Sequence, residues 1–289
     1  MLLLFYAIYF PIAKLNFNKT VKYPNAVLSI MSTGVNARLE RISTDGRIVS
    51  IPMDHGITIG PTKGLINIES TIDAVTQGGA DCILTQKGLA SRVHPNTNGK
   101  GYIVHLNGST AIGPDKNDKR LTSTVKEAVR AGGDAVSYHI NVGSETEPQQ
   151  IEQLAQISKT AGEFGLPVLA MAYARGPGIA ETNAENLAHA VRLAEEVGAD
   201  IVKTAYTGDE SFKSVARATQ LPVLMAGGDP QNDRAMLENV SCAMSCGAAG
   251  VSMGRSVFQH ADPESMTNAI SLIVHESATV ETAIERSGL

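Results

Sequence analysis

The sequence predicts an α/β protein, a single-domain (β/α)8 TIM barrel, and three observations predict it. From Arg38 onward, eight short apolar runs alternate with helical patterns. A Gly-Ala-Asp signature or a close variant precedes four of those runs: GGADCIL from Gly78, GGDAVSY from Gly132, GADIVKT from Gly198 and GAAGVSM from Gly247. Polar and titratable residues crowd the carboxyl ends of the runs, whereas Gly, Pro and Ala occupy their amino ends.

The strands are expected at 47–53, 82–85, 102–106, 135–139, 167–172, 201–203, 222–226 and 250–253. Each is short, apolar and bounded by turn formers, as strands buried on both faces should be. Helices are expected between most of them, at 67–77, 122–131, 149–164, 184–197, 209–218 and 231–246. The stretch between the second and third strands, QKGLASRVHPNTNGKG, supports one short helix. The repeated signature is the αβ turn of such a unit: glycine ends the helix and a small residue lets helix and strand approach closely. A doubly wound open sheet is the alternative. It would need fewer strands and a glycine-rich loop after the first, and MDHGITIG does not match that fingerprint.

Composition narrows the function classes. The chain is 43% hydrophobic and 18% charged with a formal net charge of -5, and it carries no basic stripe. It therefore has no electrostatic footprint for nucleic acid. Cys82, Cys242 and Cys246 make an odd, sparse set with no disulfide framework, which favours a cytoplasmic location. Cys242 and Cys246 read as two small buried helix residues rather than half of a zinc site. The apolar start, MLLLFYAIYFPIA, is too short to span a bilayer and has its lysines on the wrong side for a signal peptide. Residues 1–30 are expected to lie outside the fold, with Met31 as the native start and 34–289 as the barrel domain. An interfacial membrane anchor is the alternative for that segment.

In a barrel, the active site lies at the carboxyl ends of the strands. Read in order, those positions give Asp54 and His55; Gln86 and Lys87; His105 and Asn107; Tyr138, His139 and Asn141; Tyr173 and Arg175; Lys203 and Tyr206; Gly227, Gly228 and Asp229; and Gly254 and Arg255. The last two loops suit phosphate, since bare backbone amides and a guanidinium stand where barrels commonly bind it. Lys203 ends an apolar strand, and lysine is rarely fully buried unless it is paired, so it reads as a snorkelling surface residue or a working amine. Burial and nearby cations favour a neutral amine, which attacks carbonyls to form a Schiff base. A structural salt bridge to Asp54 is the bland reading of Lys203, and Lys87 is a rival amine. Tyr173 could move protons beside it, and Asp54 could act as the complementary carboxylate. His55, His105 and His139 could instead hold a catalytic zinc, although none stands in a recognised ligand spacing.

Taken together, VSIPMDHGITIGPTKGL, HLNGSTAI, AVSYHINVGS, MAYARG, ADIVKTAYTGD, AGGDP and GVSMGRSVFQH resemble the archaeal-type class I aldolase family, in order and from about residue 34 to the end. The resemblance implies a barrel that needs no metal or other cofactor and assembles as a homo-oligomer. It makes Lys203 the Schiff-base lysine, Tyr173 the proton donor and Asp54 the proton acceptor. It implies substrate contacts from Asp54, His55, Gly56, Ile57 and Thr58, from Tyr173, Ala174 and Arg175, and from Lys203, Gly227, Gly228, Gly254 and Arg255. The family often reads Tyr-Pro-Arg-Gly after the fifth strand, and Ala174 here is expected to loosen that loop. The implied activity is a Schiff-base transaldol reaction. A three-carbon unit passes from 6-deoxy-5-ketofructose 1-phosphate to L-aspartate semialdehyde, giving an amino-dideoxy-heptulosonate early in aromatic amino acid biosynthesis. Cleavage of fructose 1,6-bisphosphate is the alternative, with Lys63, Arg92 and Lys100 as candidates for its second phosphate. A barrel that binds a sugar phosphate without catalysis is the third reading.

Overall fold

A computed structural model describes residues 33–228 and 232–289; the expectations for residues 1–30 and for the Met31 start lie outside the described residues. The eight expected strands are all present. They are β1 (Ile48–Pro52), β2 (Cys82–Gln86), β3 (Gly101–His105), β4 (Ala135–Val142), β5 (Val168–Ala174), β6 (Ile201–Ala205), β7 (Val223–Ala226) and β8 (Gly250–Ser252). All pair in parallel, and β1 closes the barrel by pairing with β2 through Ser50 and Cys82 and with β8 through Ile48 and Gly250. The chain is thus a single-domain (β/α)8 barrel rather than a doubly wound sheet.

Two apolar layers hold the barrel. Outward-facing Val49, Ile51, Ile83, Val104, Val136 and Val202 pack with the helices in one cluster. Inward-facing Ile48, Leu84, Ile103, Leu169, Ile201 and Leu224 form the other. Helix Thr33–Arg41 closes the amino end of the barrel, placing Val35 and Leu39, with Ile42 beyond its end, into that interior cluster. The sequence reading had no helix there.

The aspartates of the repeated signature have a defined task. Asp81 accepts from the Val49 amide at 2.7 Å, Asp134 from Tyr102 at 3.0 Å and Asp200 from Val168 at 2.8 Å. Each αβ turn thereby satisfies a backbone donor at the start of the strand one place back, where no ladder partner reaches it. Asp81 is also held by Thr44 and His275, and Asp134 by Arg41. Asp200 has no such cation among the described residues, and burial pushes its carboxyl up to about 6.

Three further departures matter. Residues 107–108 and 120–121 form a small antiparallel ladder, so the expected helix at 122–131 starts only at Val125, behind a Thr124–Glu127 capping box. The intervening hairpin folds over the mouth and is tied down at several points. Ala111 donates to the Thr58 carbonyl at 2.8 Å, and the Asn117 carbonyl accepts from Asn141 and Gln150. Between β2 and β3 the chain makes three short helical turns, not one. Helices Pro263–Glu276 and Val280–Ser287, unassigned from sequence, complete the outer ring; Asp262 caps the first of them, with Pro263 opening it.

Candidate active site

Strand register brings the central residues together. The Cα of Lys203 pairs with Met171 on one side and Leu224 on the other. Tyr173 lies two residues beyond Met171 and therefore faces the same interior, one layer nearer the mouth. Lys203 is 7% exposed and makes no hydrogen bond or ion pair among the described residues. The salt bridge to Asp54 that the sequence left open is not formed. Lys87 differs on both counts: its amine donates to Glu127 at 2.6 Å and its side chain is 38% exposed.

Asp54 stands between two imidazoles, with Oδ1 3.6 Å from His55 Nδ1 and Oδ2 3.6 Å from His105 Nε2. Burial pushes its carboxyl up, but positive charge at His105, His55 and Lys203 outweighs burial and leaves it below the ordinary range. Burial also holds His55 and His105 below their ordinary value, and His139 well below it. His105 is fixed from behind, its Nδ1 2.7 Å from Ser137 Oγ. His139 Nε2 lies 2.9 Å from Asn141 Oδ1, and its ring packs on Tyr173 with centroids 5.0 Å apart. Two of the three histidines considered as zinc ligands thus have ring nitrogens engaged by side chains. No group of three or more His, Cys, Asp or Glu among the described residues is arranged to hold a metal ion.

Arg175 lies over the Tyr173 ring, its Cζ 4.3 Å from the centroid, and pairs with Glu181 at 3.1 Å. Ala174 does not loosen this segment. It is the last residue of β5, buried and paired with Val142, and the Arg175 amide continues the ladder to the Val142 carbonyl at 2.9 Å. Residues 54–58 turn from β1 into helix Gly56–Ile59, whose Ile57 packs against Gly108 of the hairpin. Beside them a cavity of about 520 Å³ opens between the β1 and β2 loops, walled by Asp54, Ile57, Leu65, Gln86, Leu89 and Thr122.

Between the Lys203 strand and β1 in the barrel order lies the glycine cradle. Gly227 and Gly228 follow β7, and Gly254 and Arg255 follow β8; residues 229–231, which complete the first of these loops, lie outside the described residues. A methyl on Gly227 would come within 2.7 Å of Ser256 Oγ, and one on Gly254 within 2.5 Å of His55 Cε1. The Gly227 contacts are with side chains, whereas a methyl on Gly254 would also lie 2.8 Å from the Pro52 carbonyl oxygen, so close approach to backbone favours glycine there. Ser256, which the sequence reading passed over, is buried, and its hydroxyl has no hydrogen-bond partner among the described residues.

The other residue missed is Lys119. It sits in the hairpin at 8% exposure, and its amine donates to Ser109 Oγ at 2.7 Å. Of the cations proposed from sequence for a second phosphate, Lys100 stands at the amino end of β3, away from the mouth, and Arg92 is exposed on a short helix behind β2. Cys242 and Cys246 are partly exposed rather than buried and are not disulfide-bonded.

Comparison with known proteins agrees with this fold. A family model described as DeoC/LacD family aldolase matches residues 48–260. The chain is 62% identical over 257 residues to a 2-amino-3,7-dideoxy-D-threo-hept-6-ulosonate synthase of Halobacterium salinarum, covering 89% of this chain and 97% of that protein. It is 32% identical over 254 residues to a class 1 fructose-bisphosphate aldolase of Halobacterium salinarum, covering 85% and 97%. Among solved structures, a Schiff-base-forming fructose-1,6-bisphosphate aldolase superposes with a TM-score of 0.78 at 31% identity, covering 84% of this chain and all of that one. The chain is therefore an enzyme of the aldolase class and belongs to the DeoC/LacD aldolase family.

Proposed function

We propose that this enzyme is a 2-amino-3,7-dideoxy-D-threo-hept-6-ulosonate synthase, acting through a Schiff base on Lys203. The observation that carries the mechanism is the burial of Lys203 in the barrel mouth with no carboxylate paired to it, beside Asp54 and Tyr173. The degree of identity to the heptulosonate synthase, 62% against 32% to the bisphosphate aldolase, favours the substrate.

The Lys203 amine adds to the methyl-ketone carbonyl of 6-deoxy-5-ketofructose 1-phosphate, and loss of water gives an iminium. Asp54 takes the proton of the hydroxyl one carbon beyond the bond to be broken. That C–C bond then cleaves, its electrons pass into the iminium, and hydroxypyruvaldehyde phosphate departs, leaving a three-carbon enamine. The enamine carbon attacks the aldehyde of L-aspartate semialdehyde, Tyr173 protonates the new alkoxide, water releases the product from Lys203, and the proton held by Asp54 returns through solvent to Tyr173. Gly227, Gly228, Gly254, Arg255 and the Ser256 hydroxyl provide the phosphate cradle, while residues 54–58 and 173–175 line the channel between. A cytoplasmic homo-oligomer is part of the same reading.

The test is to incubate the protein with the ketose phosphate, reduce with borohydride and map the adduct. A reduced adduct on Lys203 is expected, together with turnover that needs aspartate semialdehyde. An adduct on Lys87, or turnover of fructose 1,6-bisphosphate without that acceptor, overturns the site or the substrate respectively.

A further inference from the structure

Resting on that reading of the reaction, we propose that Lys119 and Arg175 form the subsite that binds the carboxylate of the amino-aldehyde acceptor, with Lys119 as the specificity-determining residue. A buried cation without a counter-ion is strongly unfavourable, so its environment must supply an anion or its charge must be given up. Lys119 is such a cation. It is 8% exposed, its one hydrogen bond is to the neutral Ser109 hydroxyl, and it has no ion pair among the described residues. Arg175 acts on it as a second positive charge, which worsens the imbalance and points to an anionic ligand.

The position fits the acceptor. The aldehyde oxygen must face the Tyr173 phenol to be protonated, and Arg175 lies over that ring at 4.3 Å. An aldehyde held there extends its remaining carbons toward Arg175 and Lys119, on the side of β3 to β5. The glycine cradle stands across the barrel at β7 and β8. A planar guanidinium beside an ammonium suits a carboxylate, whereas the backbone amides of the cradle suit a phosphate.

The charge on Lys119 titrates where it can be observed. Burial, then Arg175, lowers its amine to about 8, against the opposing pull of Asp54 and Asp115. The groups that face it are Arg175 directly after β5, His105 on β3, His139 on β4, Asp54 after β1, and Asp115 and Lys116 on its own hairpin. A group with its folded value near 8 is charged below that pH, so acceptor binding should weaken as pH rises through 8.

The experiment compares Lys119→Met and Lys119→Arg with the parent enzyme. The methionine variant should raise KM for aspartate semialdehyde about tenfold or more, with a smaller change in kcat, and the arginine variant should recover most of the loss. The rise of that KM above pH 8 should vanish in Lys119→Met. Borohydride trapping of the ketose on Lys203 should persist in both variants. An unchanged acceptor KM with normal trapping overturns the subsite and sends the carboxylate to the glycine cradle. Absence of trapping in the parent enzyme overturns the Schiff-base reading instead.

Discussion

Replacing Gly254 with alanine tests the cradle by geometry alone. Its φ of -100° is open to any residue, although its ψ of -89° lies outside the ordinary helical and extended ranges and adds some backbone cost. The obstacle is space: the new Cβ would lie 2.8 Å from the Pro52 carbonyl oxygen and 2.5 Å from His55 Cε1, where ordinary contact begins at 3.4 Å. His55 can swing aside, but Pro52 is the last residue of β1 and is fixed by the barrel ladder. The β8 loop must therefore move by about 0.6 Å, the difference between 3.4 and 2.8 Å. Overpacking of this kind costs about 1–3 kcal/mol. If the displacement falls on the amides that hold phosphate, affinity for the ketose phosphate drops by about 5- to 150-fold. Steady-state kinetics should show this as a raised KM for the ketose with a smaller change in kcat, and KM for the acceptor should move little. An unchanged ketose KM in a Gly254→Ala enzyme that folds normally would refute the cradle.

Two stability predictions follow from the same coordinates. Asp200 has its carboxyl raised from 3.8 to about 6, so the stability that its protonated form contributes is full below about pH 4 and is lost as pH rises through 6. Asp200→Asn keeps an oxygen for the Val168 amide, and it should gain on the parent enzyme by at most about 3 kcal/mol between pH 4.5 and 8, since each pKa unit is about 1.4 kcal/mol; parallel Tm–pH curves would contradict this. Gly162→Ala lies inside helix Glu147–Phe164 with nothing within 4 Å of the added methyl, so it should stabilise the fold by about 0.5–1 kcal/mol in thermal unfolding and leave the kinetics unchanged.

The barrel was legible because each β/α unit carries its own local punctuation. Asp81, Asp134 and Asp200 mark the start of three strands and also explain why: each closes an exposed backbone donor on the preceding strand. The strand-end residues Asp54, Tyr173 and Lys203 could be found the same way, since chain order alone places them at one rim. The N-terminal plug was not legible. TGVNARLER commits only Val35 and Leu39 to the core, too few for a helical period to show. The hairpin was hidden for a different reason. Its two-residue strands fall below any periodicity, and Lys119 belongs to DKNDKR, which reads as a solvated charge run. Only the folding of that run back over β3 and β4 turns one of its lysines inward.

This difference in legibility has a chemical counterpart. Lys203, Tyr173 and Asp54 are carried on or directly after strands of a closed barrel, where moving one means deforming the ladder. Lys119 is carried on a hairpin held to the barrel by side-chain amides from Gln86, Asn141 and Gln150 and by one amide at Ala111. Such a hairpin can change length or sequence at little thermodynamic expense, because loop closure depends only weakly on loop length. The half of the site proposed to form the Schiff base is thus bound to the fold, whereas the half proposed for the acceptor is bound to a loop. A barrel built this way can exchange its acceptor while keeping its lysine. Relatives with the same strand-end residues but different acceptors should accordingly differ most between β3 and β4, at the positions that correspond to 107–121.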